Sequence, residues 1–464
     1  MGRNIVIFSD GTGQRGGVLV DERRSNIYKL YRATRVAPDS CVDPAEQTAF
    51  YDPGLGTLPG GIDSPAALAR SLYNLASQAT GLGITRNIVD CYAALVRLWR
   101  PGDRIFLFGF SRGAYTMRCL GGVLKLCGLP TTGSNGTRIR RNAASARKIA
   151  KEAVAVYNYT NSRPERARTE RQTELLGHRA LLAARFRRSH GSEGTDGGNA
   201  RPYFLGVFDT VASLANPAAI VILTCITAII IGCVSVLSLW LPGSYLQWFG
   251  IITGALAGLA LGFNLGSRFK IAFGLPGVPW LETIHFASAR MKMYDTELDE
   301  QVRYARHALS IDEARASFDR VPWGVPGQWR QSDPAWFEQL WFAGNHSDVG
   351  GSYPEDESRL SDVALDWMLG AASAVGLKYD PSVLRLRPDA LGMQHDETRG
   401  FIFRFASKKL RKLRSDAPLH SSVFERLSAA QVQQYDIDAP YRPENLRTHD
   451  RAAPFYAAGG NGDA

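Results

Sequence analysis

A serine lies between two glycines at the point where an apolar run changes into an amphipathic segment. The apolar run is Ile105–Phe108, and the pentapeptide Gly109–Gly113 that follows holds Ser111 at its centre. The apolar run indicates a buried strand, and the pattern behind it indicates a helix that begins directly after a sharp turn. Glycines at such a turn let strand and helix approach closely, while the serine takes a strained conformation that exposes its hydroxyl above the sheet. Ser111 is therefore the candidate nucleophile, with Gly109 and Gly113 as its support.

The elements on either side of this turn predict the fold class. Upstream, apolar residues at spacings of three and four indicate a helix between Ile84 and Leu98 that ends before Pro101. Strand-like runs alternate with helical patterns and lie at Ile5–Phe8, Ala49–Tyr51, Ile105–Phe108, Tyr203–Phe208 and Leu340–Phe342. This alternation predicts an α/β domain, with a mostly parallel sheet and flanking helices as in α/β hydrolases.

A nucleophilic serine needs a base and a carboxylate, which hydrolases of this class supply in the chain order Ser, Asp or Glu, His. Asp209 directly follows the strand-like run that ends at Phe208, and His346 lies in a glycine-bounded loop after Phe342. Both would lie at the carboxyl edge of the sheet, where such folds place their chemistry. Ser111, Asp209 and His346 form the candidate triad.

Alternative roles remain open for these residues. Asp209 precedes a threonine and would also suit a turn cap, in which case Asp348 or Asp10 would be the carboxylate. His346 would also suit a structural hydrogen bond in its loop. The sequence favours the catalytic assignments because the other seven histidines have no comparable strand-end position.

The oxyanion hole of a serine hydrolase uses two backbone N–H groups. The amide of Arg112, directly after the nucleophile, is one expected donor. The other is expected from the glycine-rich loop after the first strand, where Gly11 or Thr12 would donate and Asp10 would support the turn. A nucleotide-binding turn is disfavoured, because this loop lacks the Lys-Ser/Thr ending of a P-loop and the spacing of GxGxxG.

A second feature is a run of 58 residues, Thr210–Ser267, without one Asp, Glu, Lys or Arg, in a chain that is 21% charged. Segments 217–241 and 246–265 would extend about 37 and 30 Å as helices, against a hydrocarbon core of about 30 Å. Aromatic residues cluster at the turn between them, and glycines recur every fourth residue in the second segment. We expect a two-helix transmembrane hairpin, with a buried helical hairpin of a soluble core as the alternative.

Basic residues suggest where this hairpin points. Arg185, Arg187, Arg188 and Arg201 precede it, and Arg268 and Lys270 follow it. The positive-inside rule then keeps both ends, and the hydrolase domain, on the cytoplasmic side of an inner or cytoplasmic membrane. The N-terminus passes directly into an apolar run without a secretory signal, in agreement with this orientation.

The net charge of +10 is concentrated in one segment. Between Arg138 and Arg188 there are 14 Lys or Arg and 4 Asp or Glu. Such a segment would be a solvated helical face, or it would attract anionic phospholipid headgroups together with Lys408–Lys412. Nucleic acid is a weaker candidate, because no zinc, helix-turn-helix or RNA-binding motif is present.

These features divide the chain into successive parts. They are 1–135 with the serine turn, 136–200 with the basic helical segment and a flexible loop at Ser189–Asn199, 201–215 with the Asp209 strand, 216–267 with the hairpin, 268–456 with the His346 loop, and 457–464 as a disordered tail.

Five motifs in this order resemble the α/β-hydrolase family that includes the Tle-type phospholipase effectors of type VI secretion. The resemblance implies a Ser111, Asp209, His346 triad and activity on phospholipid or related esters. It does not extend to the basic segment, the hairpin or about the last 80 residues. The motifs are Phe8–Gly13, Tyr51–Thr57, Gly102–Tyr115, Gly206–Val211 and Trp341–Gly351.

Together, these observations predict a membrane-anchored serine hydrolase of phospholipids that works through an acyl-serine intermediate. No metal cluster of convincing spacing is present, so we expect neither metal nor cofactor. Two alternatives are a non-catalytic membrane scaffold or immunity-like partner that keeps the fold, and an esterase or thioesterase for a soluble acyl substrate. The sequence also leaves open whether the protein is a resident enzyme or a secreted effector.

Overall fold

The computed structural model describes residues 2–11, 23–54, 83–133, 136–160, 169–211, 217–287, 296, 298–321, 323, 335–399 and 407–457. Its strands are β1 Asn4–Ser9, β2 Gln47–Asp52, β3 Arg104–Phe110, β4 Glu193–Gly194, β5 Gly197–Gly198, β6 Pro202–Phe208, β7 Phe269–Lys270, β8 His285–Phe286, β9 Tyr304–Ser310, β10 Phe337–Phe342, β11 Val432–Gln434 and β12 Ile437–Ala439.

Helices alternate with these strands along the chain. They are α1 Asn26–Thr34, α2 Ile84–Leu98, α3 Arg112–Cys127, α4 Ala143–Tyr157, α5 Glu170–His190, α6 Pro217–Trp240, α7 Tyr245–Arg268, α8 His346–Gly350, α9 Arg359–Ala374, α10 Ser421–Ser428 and α11 Ala453–Ala457. Short 3₁₀ turns lie at Trp280–Thr283, Ala316–Phe318, Glu355–Glu357, Glu397–Arg399 and Glu444–Leu446.

Six strands form one parallel sheet in the order β10-β9-β6-β3-β1-β2. The chain adds β2 on one side of β1 and then crosses to β3 on the other side. This reversal creates a switch point between β1 and β3, and in open α/β sheets the crevice outside the carboxyl ends at such a point binds ligands. Ser111 follows β3 and Asp10 follows β1, so both lie at this crevice.

The central strands are buried on both faces, as a parallel sheet covered by helices requires. Along β1, Ile5 and Ile7 point into one core with α2 and α3, whereas Val6 and Phe8 point into another with α1 and α9. The alternation follows the two-residue period of a strand. The predicted α/β class with a mostly parallel sheet is confirmed.

Five of the six sheet strands lie where the sequence predicts them, and the sixth, β9, was not predicted. This strand contains Arg306 and His307, so it does not read as a continuous apolar run. The side chain of His307 is nevertheless fully buried, and burial lowers its pKa to about 3. A neutral histidine thus occupies a core position.

The structure contains two helices, α6 and α7, where the sequence predicts the two membrane spans, and they pack against each other. Many of their apolar side chains are exposed, among them Trp240 (85%), Leu246 (76%) and Leu259 (71%). In the parts of the chain that the structure describes, no helix reaches the length and apolarity needed to cross a membrane. The predicted transmembrane hairpin is therefore not supported, although its helices are present.

The described part of the basic segment contains helices α4 and α5, which pack against the helices behind the sheet. Several of its cationic side chains are used within the domain: Arg187 donates to the Leu126 carbonyl at 2.6 Å, and Arg147 pairs with Asp90.

The stretch Ser189–Asn199, predicted as a flexible loop, differs from the prediction. It contains the end of α5 and the β4–β5 hairpin. The glycines that indicate a loop in the sequence permit the tight turn of this hairpin. Residues 458–464 of the predicted tail lie outside the described residues.

The C-terminal segment covers the far end of the sheet. Leu419 and Val423 pack with Trp341 of β10 and with Leu309 of β9 in a third core. The amide of Lys409 donates to the carbonyl of Ala314 at 2.8 Å. This packing brings residues 407–413 beside the carboxyl ends of β6 and β9.

Candidate active site

Ser111 occupies the sharp turn between β3 and α3 that the sequence predicts. Its φ of 58° and ψ of −120° are unusual for a residue with a Cβ atom and cost about 1–3 kcal/mol. Its N–H donates to the carbonyl of Phe208, the last residue of β6, at 3.1 Å. A strained backbone held in this way is typical of a nucleophile turn.

The two glycines of this turn are needed for close packing. A Cβ atom on Gly113 would lie 2.0 Å from the carbonyl oxygen of Ser9, and one on Gly109 would lie 2.5 Å from the carbonyl oxygen of Gly113. The helix α3 therefore meets β1 and β3 at backbone contact distance. Both positions therefore require glycine, and the supporting role predicted for Gly109 and Gly113 stays a prediction.

His346 and Asp209 form a direct hydrogen bond at the carboxyl edge of the sheet. His346 Nδ1 lies 2.5 Å from Asp209 Oδ2, and both side chains are buried. An ionised carboxylate only accepts hydrogen bonds, so Nδ1 carries the proton and Nε2 of the neutral ring can act as a base. Asp209 has a φ of 37°, and its amide donates to the carbonyl of Ala308 at 2.8 Å, which fixes the strand end.

Aromatic rings place the His346 imidazole beside the serine turn. Phe110, the residue before Ser111, stacks on the imidazole with ring centroids 4.6 Å apart, and Phe318 meets it edge-on at 5.1 Å. The amide of His346 donates to Glu313 Oε2 at 3.3 Å. These contacts put the imidazole next to the turn that carries Ser111.

Arg411 also contacts the Asp209 carboxylate, a contact that the sequence pattern does not indicate. Its Nη1 donates to Asp209 Oδ1 at 2.5 Å and its Nη2 to Asp209 Oδ2 at 2.9 Å. The prediction that Arg411 attracts lipid headgroups with its neighbours is wrong, because its side chain is 2% exposed and points into the site. Lys408 and Lys412 of the same stretch are exposed.

The charge state of Asp209 follows from these partners. Burial alone raises the pKa of Asp209, but the Arg411 guanidinium and the hydrogen bond from His346 outweigh it and hold that pKa well below its usual range. Ser310 adds its backbone N–H at 3.1 Å to Oδ1 and its hydroxyl at 3.3 Å to Oδ2. Asp209 is thus an ionised carboxylate that accepts hydrogen bonds on both oxygens.

Two of the three predicted oxyanion donors, Arg112 and Gly11, lie in the described part of the chain. Arg112 is the first residue of α3, and first-turn amides are not used by the hydrogen bonds of their own helix. Gly11 lies beside Ser111, since a Cβ atom on it would be 3.5 Å from Ser111 Cβ, but its N–H donates to Asp10 Oδ1 at 2.7 Å. Its amide therefore serves the loop in this structure, and Thr12 lies outside the described residues.

Asp10 supports the loop after β1 and does not contact His346. Its Oδ2 accepts hydrogen bonds from the Ser25 hydroxyl at 2.6 Å and the Tyr51 hydroxyl at 2.7 Å. Burial raises the pKa of Asp10 to about 6. Asp10 thus ties the loop to the start of α1 and to β2, and the supporting role predicted for it stays a prediction.

Asp348 is the third carboxylate that the sequence offers, and it belongs to a capping box. The Asn345 side chain accepts from the Asp348 amide at 3.0 Å, and Asp348 Oδ2 accepts from the Asn345 amide at 3.0 Å. Asp348 Oδ1 lies 2.7 Å from His395 Nδ1. Of the three candidate carboxylates, Asp209 is the one that contacts His346.

No group of three or more His, Cys, Asp or Glu side chains that could hold a metal ion is found among the residues that the structure describes. The site consists of groups suited to proton transfer and charge stabilisation. The predicted absence of metal and cofactor stays a prediction.

A family model described as the catalytic domain of Tle1-like phospholipase effectors of the type VI secretion system matches residues 3–233 and 271–371. The chain belongs to this family. The match includes Ser111, Asp209 and His346 and ends before Arg411.

Individual proteins resemble parts of this Tle1-like chain. An uncharacterized protein of Saccharomyces cerevisiae, YEL023C, is 28% identical over 218 residues, which are 46% of this chain and 27% of the yeast protein. The structure of an uncharacterized protein from Pseudomonas aeruginosa is similar at a TM-score of 0.36 and 15% identity, over 83% of this chain and 48% of that one. The structure of the Tle1 effector bound to the VgrG spike of the type VI secretion system is similar at a TM-score of 0.36 and 13% identity, over 84% of this chain and 77% of that one. This chain therefore spans about a quarter of the length of the yeast relative.

Proposed function

We propose that this protein is a serine hydrolase of phospholipid acyl esters, with Ser111 as the nucleophile, His346 as the general base and Asp209 as the carboxylate. The hydrogen bond between His346 and Asp209, next to the strained turn at Ser111, carries the proposal. Family membership supports the class of substrate.

The proposed reaction has two stages. The Ser111 hydroxyl attacks the acyl carbonyl carbon and gives its proton to His346 Nε2, while Asp209 stabilises the imidazolium. The backbone N–H of Arg112 supports the negative charge on the carbonyl oxygen. Collapse expels the lysolipid or alcohol, which takes the proton from His346, and an acyl-serine remains. Water then attacks the acyl-serine with His346 as base and releases the fatty acid.

The same proposal places the site at a membrane surface. The helices α6 and α7 carry no Asp, Glu, Lys or Arg between Thr210 and Ser267, and many of their apolar side chains are exposed. Large exposed apolar surfaces mark interaction with membranes or other proteins. Only seven residues separate Asp209 from Pro217, which is at most about 25 Å of chain. Attachment of this hairpin to the cytoplasmic leaflet would keep the site close to its lipid.

A fluorophosphonate probe tests the nucleophile. We expect the probe to label the wild-type protein and the Ser428→Ala control, an exposed serine far along the chain, but not Ser111→Ala. Phospholipase activity should fall at least about 1,000-fold in Ser111→Ala. Equal labelling or activity in Ser111→Ala would disprove the assignment of Ser111. Absence of both in the wild-type protein would favour a non-catalytic scaffold instead.

Vesicle co-sedimentation tests the role of the hairpin. In the Ser111→Ala background, Ile230→Asp with Leu259→Asp should release protein from phosphatidylcholine vesicles. The matched control is Ile437→Asp, because Ile437 is 52% exposed but lies in β12, away from the hairpin. Equal vesicle binding of both variants would rule out membrane attachment through α6 and α7.

A further inference from the structure

A cleft of about 940 Å³ opens beside α1 and α9, apart from the serine turn. Six cationic side chains line it: Arg24, Lys29, Arg32, Arg359, Arg385 and Arg387. Glu355, Asp356 and Asp389 are the acidic lining residues. The excess of positive charge indicates an anionic ligand. How strongly the cleft attracts such a ligand depends on how many of the cations already pair with carboxylates of the protein.

Two of the cations are already neutralised within the protein. Lys29 Nζ lies 3.0 Å from both Glu355 Oε2 and Asp362 Oδ1, and its side chain is 7% exposed. Arg359 lies 3.4 Å from Glu355 and 3.5 Å from Asp362. These four charges cancel, which leaves four arginines against Asp356 and Asp389.

Three of the remaining arginines have guanidinium groups available for a ligand. Within the described part of the chain, the side chains of Arg32, Arg385 and Arg387 form no ion pair, and Arg32 Nε is buried without a hydrogen-bond partner. Guanidinium groups bind phosphate through paired, charge-assisted hydrogen bonds. A buried donor without a partner costs free energy, which a bound oxyanion would recover.

The cleft also has apolar walls, and Arg24 at its edge joins the stretch that follows His346. Val383, Leu384 and Pro388 line it beside the arginines, so the ligand that fits carries an apolar part next to its phosphate. The carbonyl of Arg24 accepts a hydrogen bond from the amide of Ser352 at 3.0 Å, six residues after His346. A ligand with an apolar part beside a phosphate, in a protein proposed to hydrolyse phospholipid esters, is best matched by a phospholipid.

We propose that this cleft binds the phosphate of an anionic phospholipid headgroup, through Arg32, Arg385 and Arg387. The proposal rests on the proposed function for the class of lipid but not for the chemistry at Ser111. Binding in this cleft would make the protein prefer anionic over zwitterionic lipid. This preference would not depend on the basic segment at Arg138–Arg188.

The test is a titration of the full-length Ser111→Ala protein with dihexanoyl phosphatidic acid below the concentration at which it forms micelles. Ser111→Ala keeps the lipid intact. We expect the Kd to rise at least about tenfold in Arg32→Gln with Arg385→Gln, as the loss of one charge-assisted hydrogen bond would cause. The control Arg138→Gln with Arg188→Gln removes two exposed arginines elsewhere and should leave the Kd unchanged.

Two further ligands separate the possible sources of phosphate. Dihexanoyl phosphatidylcholine should bind at least about tenfold more weakly than the phosphatidic acid, because its headgroup has no net charge. Inorganic phosphate should also bind more weakly, because it cannot use the apolar wall. Equal binding of either ligand, or an unchanged Kd in the cleft variant, would overturn the proposal. The cleft variant is also made with Ser111 in place and labelled with a fluorophosphonate. This labelling tests the catalytic proposal separately from the cleft.

Discussion

Arg411 and Asp209 form a buried two-point ion pair in which each terminal nitrogen of the guanidinium contacts one carboxylate oxygen, at 2.5 and 2.9 Å. The same carboxylate accepts the hydrogen bond from His346. The arginine therefore shares the carboxylate charge that, in the proposed triad, would stabilise the His346 imidazolium. It also holds the carboxylate in place, since both of its oxygens are engaged.

Arg411→Gln should shift the pH dependence of activity. Without the arginine, Asp209 presents more negative charge to His346, so the imidazolium persists to higher pH and the base form appears later. We expect the acidic limb of the profile of kcat/KM against pH to move up by about 2–3 units, because a unit charge about 4–6 Å away is worth roughly 3–4 kcal/mol at an effective dielectric constant near 20. Arg411→Lys keeps the charge and should move the limb less.

The same substitution also probes stability. Removing one partner of a buried ion pair costs about 3–5 kcal/mol, so Arg411→Gln should lower the midpoint of denaturant unfolding. A lower midpoint with an unchanged pH profile would show that Arg411 only supports the fold. That outcome would contradict a positioning role toward the triad.

The sequence patterns that indicate the candidate site residues are short. Ser111 and Asp209 directly follow strands, and His346 follows β10 after three residues, so the strand pattern and the chain order of the motif indicate them as candidates. Arg411 lies 202 residues beyond Asp209 and reaches it only because the C-terminal segment packs across β9 and β10. The sequence around Arg411 is a basic run, and it does not indicate which carboxylate the arginine contacts in the fold.

The missed strand β9 and the corrected Ser189–Asn199 loop have related causes. His307 is polar in sequence but neutral in the core, so the residue type was a poor guide to burial. The glycines near Gly194 and Gly197 are equally compatible with a loop and with a tight hairpin. In both cases tertiary packing decides between conformations that the local sequence permits.

Gly113→Ala should disrupt the serine turn, since its Cβ would lie 2.0 Å from the Ser9 carbonyl oxygen. We expect a loss of stability of several kcal/mol or failure to fold, because backbone on both sides has to move. The matched control is Gly177→Ala in α5, where nothing lies within 4 Å of the new Cβ. That change should stabilise the helix by up to about 1 kcal/mol. Chemical denaturation measures the free energy of unfolding of both variants. Equal changes in Gly113→Ala and Gly177→Ala would contradict the packing argument.

Asp52→Asn should reduce the pH dependence of stability. Burial raises the pKa of Asp52 to about 8, with the Ser9 hydroxyl donating to its Oδ2 at 3.0 Å. Because the pKa is raised on folding, the folded state binds the proton more tightly, and stability falls as pH rises from about 4 to about 8. The variant lacks this loss, so it should gain stability over the wild type as pH increases, by a few kcal/mol at pH 8.5.

Unfolding midpoints at pH 5 and pH 8.5 measure this gain. The matched control is Asp39→Asn, whose side chain is 59% exposed and pairs with Arg35. It should change the midpoints little at either pH. A difference between Asp52→Asn and wild type that is the same at both pH values would argue against a buried, protonated Asp52.

His395 links the pH of the solution to the loop that carries His346. Its Nδ1 lies 2.7 Å from Asp348 Oδ1 and its Nε2 lies 3.2 Å from Glu357 Oε2. Burial alone lowers the pKa of His395, but the hydrogen bond and charge of Asp348, with those of Glu357, raise it above its usual value. Asp348 in turn forms the capping box that begins the helix of His346.

His395→Gln should therefore destabilise the protein most at low pH. A raised pKa contributes stability that is fully present below the unfolded value of about 6.5 and is lost as pH rises through the folded value. The gap in melting temperature between wild type and His395→Gln should be larger at pH 5.5 than at pH 8.5. Glu357→Gln removes the more exposed of the two carboxylate partners and should give a smaller gap of the same sign. A gap that widens toward high pH would mean that the imidazolium does not stabilise this loop.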